Sequence, residues 1–123
     1  MIYGVVNSRR EATLPLAVRN AKGQPKLIDT VVDTGFSGFL SLPSVTIADL
    51  DLPWSASDIA TLGDGSETLF DLYTATVIWD GQYHEIYVAE SETEPLREMA
   101  LLYGYRLQVD AIEGGSVRVE ALN

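Results

Sequence analysis

Residues 27–40 of this chain have the sequence Leu27-Ile28-Asp29-Thr30-Val31-Val32-Asp33-Thr34-Gly35-Phe36-Ser37-Gly38-Phe39-Leu40. The first half is apolar and β-branched, which is typical of a strand that enters the protein interior. At its end a carboxylate, a hydroxyl and a glycine follow one another in Asp33-Thr34-Gly35. An ionisable group at the end of a buried strand costs free energy unless it is stabilised or used. Asp33 is therefore the first functional candidate.

Asp33 also has an interpretation that requires no chemistry. A strand can end in an Asx-type turn, in which the carboxylate accepts hydrogen bonds from nearby backbone amides. Under this interpretation the role of Asp33 is structural, and replacing it costs a modest amount of stability. The residues themselves leave both interpretations open.

Length and composition predict one globular domain that spans residues 1–123. The hydrophobic fraction is 46% and the charged fraction is 21%, values that are ordinary for a globular protein in water. The sequence contains no cysteine, which excludes a disulfide framework and a thiolate metal site. A zinc site or a serine-type triad would depend wholly on the single histidine, His84, and we expect His84 to be neither a base nor a ligand.

The charge and the first residues indicate where the protein works. A formal net charge of −10 argues against a nucleic-acid partner, because phosphates require basic residues to neutralise them. The N-terminus lacks a basic region followed by a long apolar stretch, and no apolar run approaches membrane-spanning length. We therefore expect a cytoplasmic protein with no membrane association.

Alternation of apolar residues predicts a first hairpin. Glu11–Arg19 places Leu14, Leu16 and Val18 on one face, which indicates a half-buried strand. Pro15 within it suggests a strand at the edge of a sheet. A turn at Asn20–Pro25 and a returning strand at Lys26–Asp33 complete the hairpin, so that Asp33 lies at its far end.

The rest of the chain is predicted to be mostly β-structure. Short helices are expected after Pro43, ending before Pro53, and at Pro95–Gly104. Asp80-Gly81 suits a type I′ turn between two strands. The further strands are expected at Trp54–Leu62, Glu67–Trp79, Gln82–Val88, Tyr105–Ile112 and Val117–Leu122. The fold class is therefore all-β with two short helices.

The motif Val31-Val32-Asp33-Thr34-Gly35, continued by Ser37-Gly38, resembles the active-site loop of aspartic proteases. Because the chain is short and carries one copy of the motif, it is similar to the retroviral-type (retropepsin-like), single-domain enzymes and their bacterial relatives. The resemblance implies an acid-protease-like closed β-barrel with one or two short helices, and one lobe for each chain.

The same resemblance implies a homodimer that cleaves peptides or unfolded proteins without a metal or other cofactor. Each chain would supply one Asp33 to a pair of carboxylates at the two-fold axis. Thr34 would hydrogen-bond across the interface, and Gly35 would let the two loops approach and offer its amide to the carboxylate. Ser37 would orient the pair or bind substrate.

A second candidate substrate-binding segment is the turn at Leu62-Gly63-Asp64-Gly65-Ser66. It resembles, in position and composition, the glycine-bearing flap that covers the substrate in retroviral-type proteases. Flap glycines would allow backbone to approach a bound peptide and to hydrogen-bond it as an added strand. An ordinary hairpin turn explains the same residues.

The chain departs from the family pattern before its C-terminal helix, and Phe36 is also bulkier than the small residue that retroviral enzymes place after the Asp-Thr-Gly. The relatives carry two apolar residues and a glycine before their C-terminal helix, on a strand beside the active-site loop, and the corresponding residues here are Leu96-Arg97-Glu98. A glutamate would be strained, or would push the loop outward, if the glycine served a positive φ or close backbone packing. This departure keeps open a catalytically silent dimer that binds peptides or scaffolds a partner. An unrelated small barrel that binds a small ligand is the third possibility.

Overall fold

The computed structural model describes all residues, Met1–Asn123. Ten strands and two short helices make up the chain. The strands are β1 (Ile2–Val6), β2 (Ala12–Arg19), β3 (Pro25–Val32), β4 (Leu40–Leu42), β5 (Trp54–Thr61), β6 (Glu67–Trp79), β7 (Gln82–Glu90), β8 (Leu96–Arg97), β9 (Tyr105–Val109) and β10 (Ser116–Ala121). The helices are α1 (Ser44–Leu50) and α2 (Met99–Leu102).

All ten strands belong to one sheet, which closes on itself. Their order is β5-β6-β7-β4-β8-β3-β2-β1-β10-β9. A further pairing joins β2 to β6, with Ala17 opposite Ile78 and Val18 opposite Val77, and this contact closes six of the strands into a ring. The predicted all-β, closed-barrel fold is confirmed. Outside the ring, β5 extends from β6, and β1, β10 and β9 extend from β2.

The predicted face of β2 forms part of the core. Leu14, Leu16 and Val18 are at most 1% exposed and belong to one cluster of 18 buried apolar residues. The sequence pattern at residues 2–6 did not predict a strand, but β1 pairs there with both β10 and β2. The strand patterns that were predicted fall within a residue or two of β2, β3, β5, β6, β7 and β10.

The prediction that Pro15 marks an edge strand is wrong. β2 lies inside the sheet, and Pro15 is opposite Asp29 of β3. On its other side, β1 pairs with β2 only as far as Thr13, and β6 joins at Ala17. Pro15 therefore occupies a gap between two neighbouring strands, where no amide donor is required.

The two helices differ in how closely they match the predictions made from the sequence. α1 begins directly after Pro43 and is followed by Asp51, which has a left-handed φ of 51°, so that this prediction is confirmed. The predicted helix at Pro95–Gly104 is wrong in its first half, because Leu96 and Arg97 form β8 between β3 and β4. Strand pairing uses their backbone groups, and α2 has only the four residues Met99–Leu102.

The hairpin turns match their sequence signals more closely. Asp80 and Gly81 have φ angles of 53° and 74°, as the predicted type I′ turn requires. The last hairpin is shorter than predicted, because β9 ends at Val109 and Ile112 is 70% exposed. Neither helix has the length and apolar character needed to cross a bilayer.

Candidate active site

Asp33 lies immediately after β3, at the point where β3 meets β8. The two strands are parallel, with Val31 opposite Leu96 and Val32 opposite Arg97. The backbone amide of Asp33 continues this ladder by donating a 2.8 Å hydrogen bond to the carbonyl of Arg97. β8 is thus the strand beside the loop that the resemblance implied.

The Asp33 carboxyl is half-buried and is held by its own loop. Its Oδ1 accepts a 2.9 Å hydrogen bond from the backbone amide of Gly35. A Cβ at position 35 would lie 3.2 Å from that oxygen, a close contact that favours glycine there. This hydrogen bond is consistent with both the catalytic and the structural interpretation of Asp33.

The loop between β3 and β4, residues 33–39, is held by backbone hydrogen bonds from the residues around the start of α2. Three backbone amides donate to loop carbonyls at 2.9 to 3.0 Å: Glu98 to Phe39, Met99 to Phe36 and Ala100 to Gly38. Residues 34–39 are nevertheless exposed on their outer side. The loop is thus a rigid, outward-facing element that presents Asp33 at its base.

Thr34 and Ser37, the two hydroxyl-bearing candidates of this loop, are exposed, and neither hydroxyl makes a hydrogen bond within the chain. Their geometry therefore leaves both hydroxyls available to a second molecule. Their assigned roles stay predictions.

The predicted flap residues, Leu62, Gly63, Asp64 and Gly65, form the exposed turn between β5 and β6. The amide of Leu62 donates to Ser66 at 2.7 Å, and the amide of Gly65 donates to Leu62 at 2.9 Å. Ser66 donates to the Asp64 carboxylate from both its hydroxyl and its amide, which lowers the pKa of Asp64. No hydrogen bond connects this turn to the Asp33 loop.

Glu98 is buried, and its backbone is not strained. Its φ and ψ of −110° and 176° are extended, so the predicted strain at this position is absent. The Ser41 hydroxyl donates a 2.9 Å hydrogen bond to Oε2 of Glu98. Its Oε1 lies 2.5 Å from the place that a Cβ on Gly38 would take, so the glutamate fills the space above this glycine.

The environment of Glu98 disfavours its ionised form. Burial raises the pKa of Glu98, the hydrogen bond from Ser41 lowers it, and the negative charge of Asp33 raises it again. The charge of Asp33 thus acts in the same direction as burial, and both disfavour a negative charge on Glu98.

Arg97 is completely buried and has no carboxylate partner. Its Nη2 donates a 3.0 Å hydrogen bond to the carbonyl of Pro15, and its guanidinium carbon lies 4.2 Å from the centroid of the Trp79 ring. Its Nε and Nη1 have no hydrogen-bond partner. Burial lowers the pKa of Arg97 to about 10.

Sequence reasoning found the position of Leu96-Arg97-Glu98 but missed that both charged side chains are buried. It also missed Ser41, whose hydroxyl holds Glu98. The alternation in Leu40-Ser41-Leu42 was the available signal, since it turns Ser41 away from the face of its leucine neighbours. No group of three or more His, Asp or Glu side chains is arranged to hold a metal ion.

Comparison with known proteins supports the fold. The structure is similar to the crystal structure of a retropepsin-like aspartic protease from Rickettsia conorii, with a TM-score of 0.61. The match covers 98% of this chain and 91% of the Rickettsia chain, at 18% sequence identity. No protein-family model matches the sequence. No curated protein matches it either.

A likeness at this identity establishes the fold and leaves the activity to be argued from the site. The chain has the retropepsin-like fold, the fold that the sequence motif around Asp33 implied.

Proposed function

We propose that this protein is an aspartic endopeptidase that acts as a homodimer, with one Asp33 from each chain. The observation that carries the proposal is the placement of Asp33. It lies at the base of a rigid, exposed loop at the end of a barrel strand, with its carboxyl oriented by the amide of Gly35. The likeness to a retropepsin-like aspartic protease supports the same assignment.

The chemistry needs two carboxyl groups that share one proton. Two carboxylates held close together cannot both ionise without a large cost, so one stays protonated. The ionised carboxylate removes a proton from a water molecule as the water attacks the scissile carbonyl carbon. The protonated carboxyl donates its proton to the carbonyl oxygen.

This mechanism requires a second copy of the chain, because the sequence has one Asp-Thr-Gly motif. A two-fold axis beside the loop would bring two copies of Asp33 together. Residues 34–39 are exposed, which leaves this face accessible to the second chain. Thr34 would bond across the interface, and Ser37 would contact the pair or the substrate.

The β5–β6 hairpin is proposed to cover the bound peptide. Its tip is ordered by its own hydrogen bonds, and no atom lies within 4 Å of a Cβ placed on Gly63 or Gly65. Leu62 and Leu69 are 49% and 71% exposed, which gives the hairpin apolar surface for contact with substrate side chains. An unfolded peptide could pair with the hairpin through backbone hydrogen bonds.

A catalytically silent dimer that binds peptides is the second candidate. The observation that favours it is the buried pair Arg97 and Glu98, where the family pattern has an apolar residue and a glycine. This dimer would bind a peptide without hydrolysing it.

The test is cleavage of an unfolded protein substrate from acid to neutral pH, using the full chain and its Asp33→Asn variant. Sedimentation equilibrium measures the oligomeric state of both proteins. The matched control is Asp29→Asn, which removes an exposed carboxylate from β3. The proposal predicts turnover by the wild type and by Asp29→Asn, and none by Asp33→Asn. Activity that survives in Asp33→Asn, or a strictly monomeric active protein, contradicts it.

A further inference from the structure

We propose that Glu98 is a third carboxyl group of the candidate site, a positioning residue that braces the Asp33 loop and exchanges protons in linkage with Asp33. That Glu98 belongs to an active site rests on the proposed function. The brace and the linkage are properties of the folded chain, so they can be measured whether or not the protein is a protease.

The brace consists of three contacts made by one residue. The amide of Glu98 donates to the carbonyl of Phe39 at the end of the loop. Its Oε2 accepts the hydroxyl of Ser41 on β4, and its Oε1 packs over the Cα of Gly38. The side-chain carboxyl of Glu98 thus joins the loop to β4.

The linkage follows from where the two carboxyls are attached. Asp33 opens the loop and is bonded through its amide to Arg97, the residue next to Glu98. Glu98 closes the other end of the same loop through Phe39. Glu98 therefore ionises in the electric field of Asp33, and at 6% exposure it is nearly shielded from water.

The other charged groups near Glu98 are directed elsewhere. Arg97 points to the opposite side of β8, where its guanidinium stacks on Trp79. Glu90 of β7 lies opposite Leu42, the residue after Ser41, and its charge acts on Tyr73. Neither residues 34–39 nor α2 contains a charged side chain. Asp33 is left as the partner of Glu98.

This arrangement changes how the site responds to pH. As the pH rises through the raised pKa of Glu98, a negative charge develops beside Asp33. That charge favours retention of the proton that the pair of Asp33 carboxyls shares. A site with Glu98 therefore keeps its singly protonated state to a higher pH than a site with glutamine there. In Glu98→Gln, the loss of turnover at rising pH is expected at a lower pH.

The test is a carbon-13 NMR titration of the Glu98 side-chain carboxyl in the full-length protein, compared with the Asp33→Asn variant. The expected result is that the pKa of Glu98 falls in Asp33→Asn by about half a unit or more, the size of an interaction between partly solvated charges. Asp29→Asn is the control, because it removes one exposed charge from β3 and should leave the Glu98 titration unchanged. An unchanged pKa of Glu98 in Asp33→Asn overturns the linkage.

A second variant tests the brace. Ser41→Ala removes the hydrogen bond that lowers the pKa of Glu98, so the pKa should rise further. If it does not, Ser41 and Glu98 are not bonded and the brace is wrong. Failure of the proposed function is recognised separately, since a protein without turnover can still show both shifts. Turnover by the wild type, together with a pKa of Glu98 that does not change in Asp33→Asn, would refute this inference and leave the proposed function standing.

Discussion

The amide of Asp33 donates a 2.8 Å hydrogen bond to the carbonyl of Arg97, joining two residues that are far apart in the chain. This bond fixes the start of the exposed loop against β8. The residue after Arg97 fixes the end of the same loop at Phe39. The departures from the family pattern at Arg97 and Glu98 therefore lie in the segment that positions the candidate catalytic carboxyl.

Replacing Asp33 by asparagine is expected to remove activity and to preserve the fold. The asparagine side-chain oxygen can still accept the Gly35 amide, so the loop keeps its conformation. Turnover should fall by at least about a hundredfold, the size of a lost general acid–base contribution. The melting temperature should change by only a few degrees. A variant that unfolds would show that the ionised carboxylate of Asp33 is needed for the structure itself.

Glu98→Gln is expected to stabilise the protein at neutral pH and to leave its stability unchanged in acid. The folded-state pKa of Glu98 is raised above its ordinary 4.5, so the folded protein binds this proton more tightly than the unfolded chain does. Wild-type stability therefore decreases as pH rises above 4.5 through the raised pKa. Glutamine cannot ionise and removes this decrease.

Urea unfolding of both proteins at a series of pH values measures the effect. The two stability curves should coincide below the ordinary pKa of glutamate and separate above it. Curves that stay parallel over the whole range would mean that Glu98 ionises in the folded protein as readily as in the unfolded chain.

Arg97→Met is expected to increase stability. Lowering the pKa of Arg97 from its ordinary value to about 10 corresponds to roughly 3 kcal/mol against the folded state at neutral pH. The same shift makes wild-type stability rise as pH increases between those two values. Methionine removes the buried charge but also the bond that the charged guanidinium donates to Pro15, which is worth about 2 kcal/mol. The free energy of unfolding should rise by roughly 1 kcal/mol.

Arg106→Met provides the matched control for Arg97→Met. Arg106 is an exposed arginine paired with Glu120 at 2.9 Å. Its replacement should change the free energy of unfolding by less than about 0.5 kcal/mol. A loss of stability in Arg97→Met would mean that stacking on Trp79 and the bond to Pro15 outweigh the cost of burying the guanidinium.

Alanine substitutions at Gly63 and at Gly65 should distinguish the contribution of each glycine to stability from its contribution to turnover. A Cβ at Gly63 meets no atom within 4 Å, so Gly63→Ala should leave the melting temperature unchanged. Gly65 has a φ of +86°, and alanine there should cost roughly 1–2 kcal/mol. Reduced turnover in a stable Gly63→Ala variant would support contact with substrate. Unchanged turnover would favour an ordinary hairpin turn.

Local patterns predicted most of the fold. Alternating leucines and valines identified β2, and Asp80-Gly81 identified the turn between β6 and β7, because these signals depend on neighbouring residues only. Pro15 misled the assignment of β2, since a gap between two partner strands is a tertiary feature. The helix predicted from Pro95 was shortened for the same reason, by the pairing of β8 with β3 and β4.

The candidate site was predictable only where its chemistry appears in a contiguous motif. Asp33-Thr34-Gly35 could be recognised from the sequence, whereas the burial of Arg97 and Glu98 could not. Composition places charged residues at the surface by default, and only the surrounding structure supplies the Ser41 hydroxyl and the Trp79 ring that receive these two side chains.

The closure of the ring at Ala17–Ile78 and Val18–Val77 has a consequence for folding kinetics. Only two residue pairs form this junction, and the residues that they join are distant in the sequence. Hairpins such as β2–β3 and β6–β7 bring nearby residues together and can form early, whereas this junction requires a long loop to close first. The ring should therefore assemble late in folding, after its hairpins have formed.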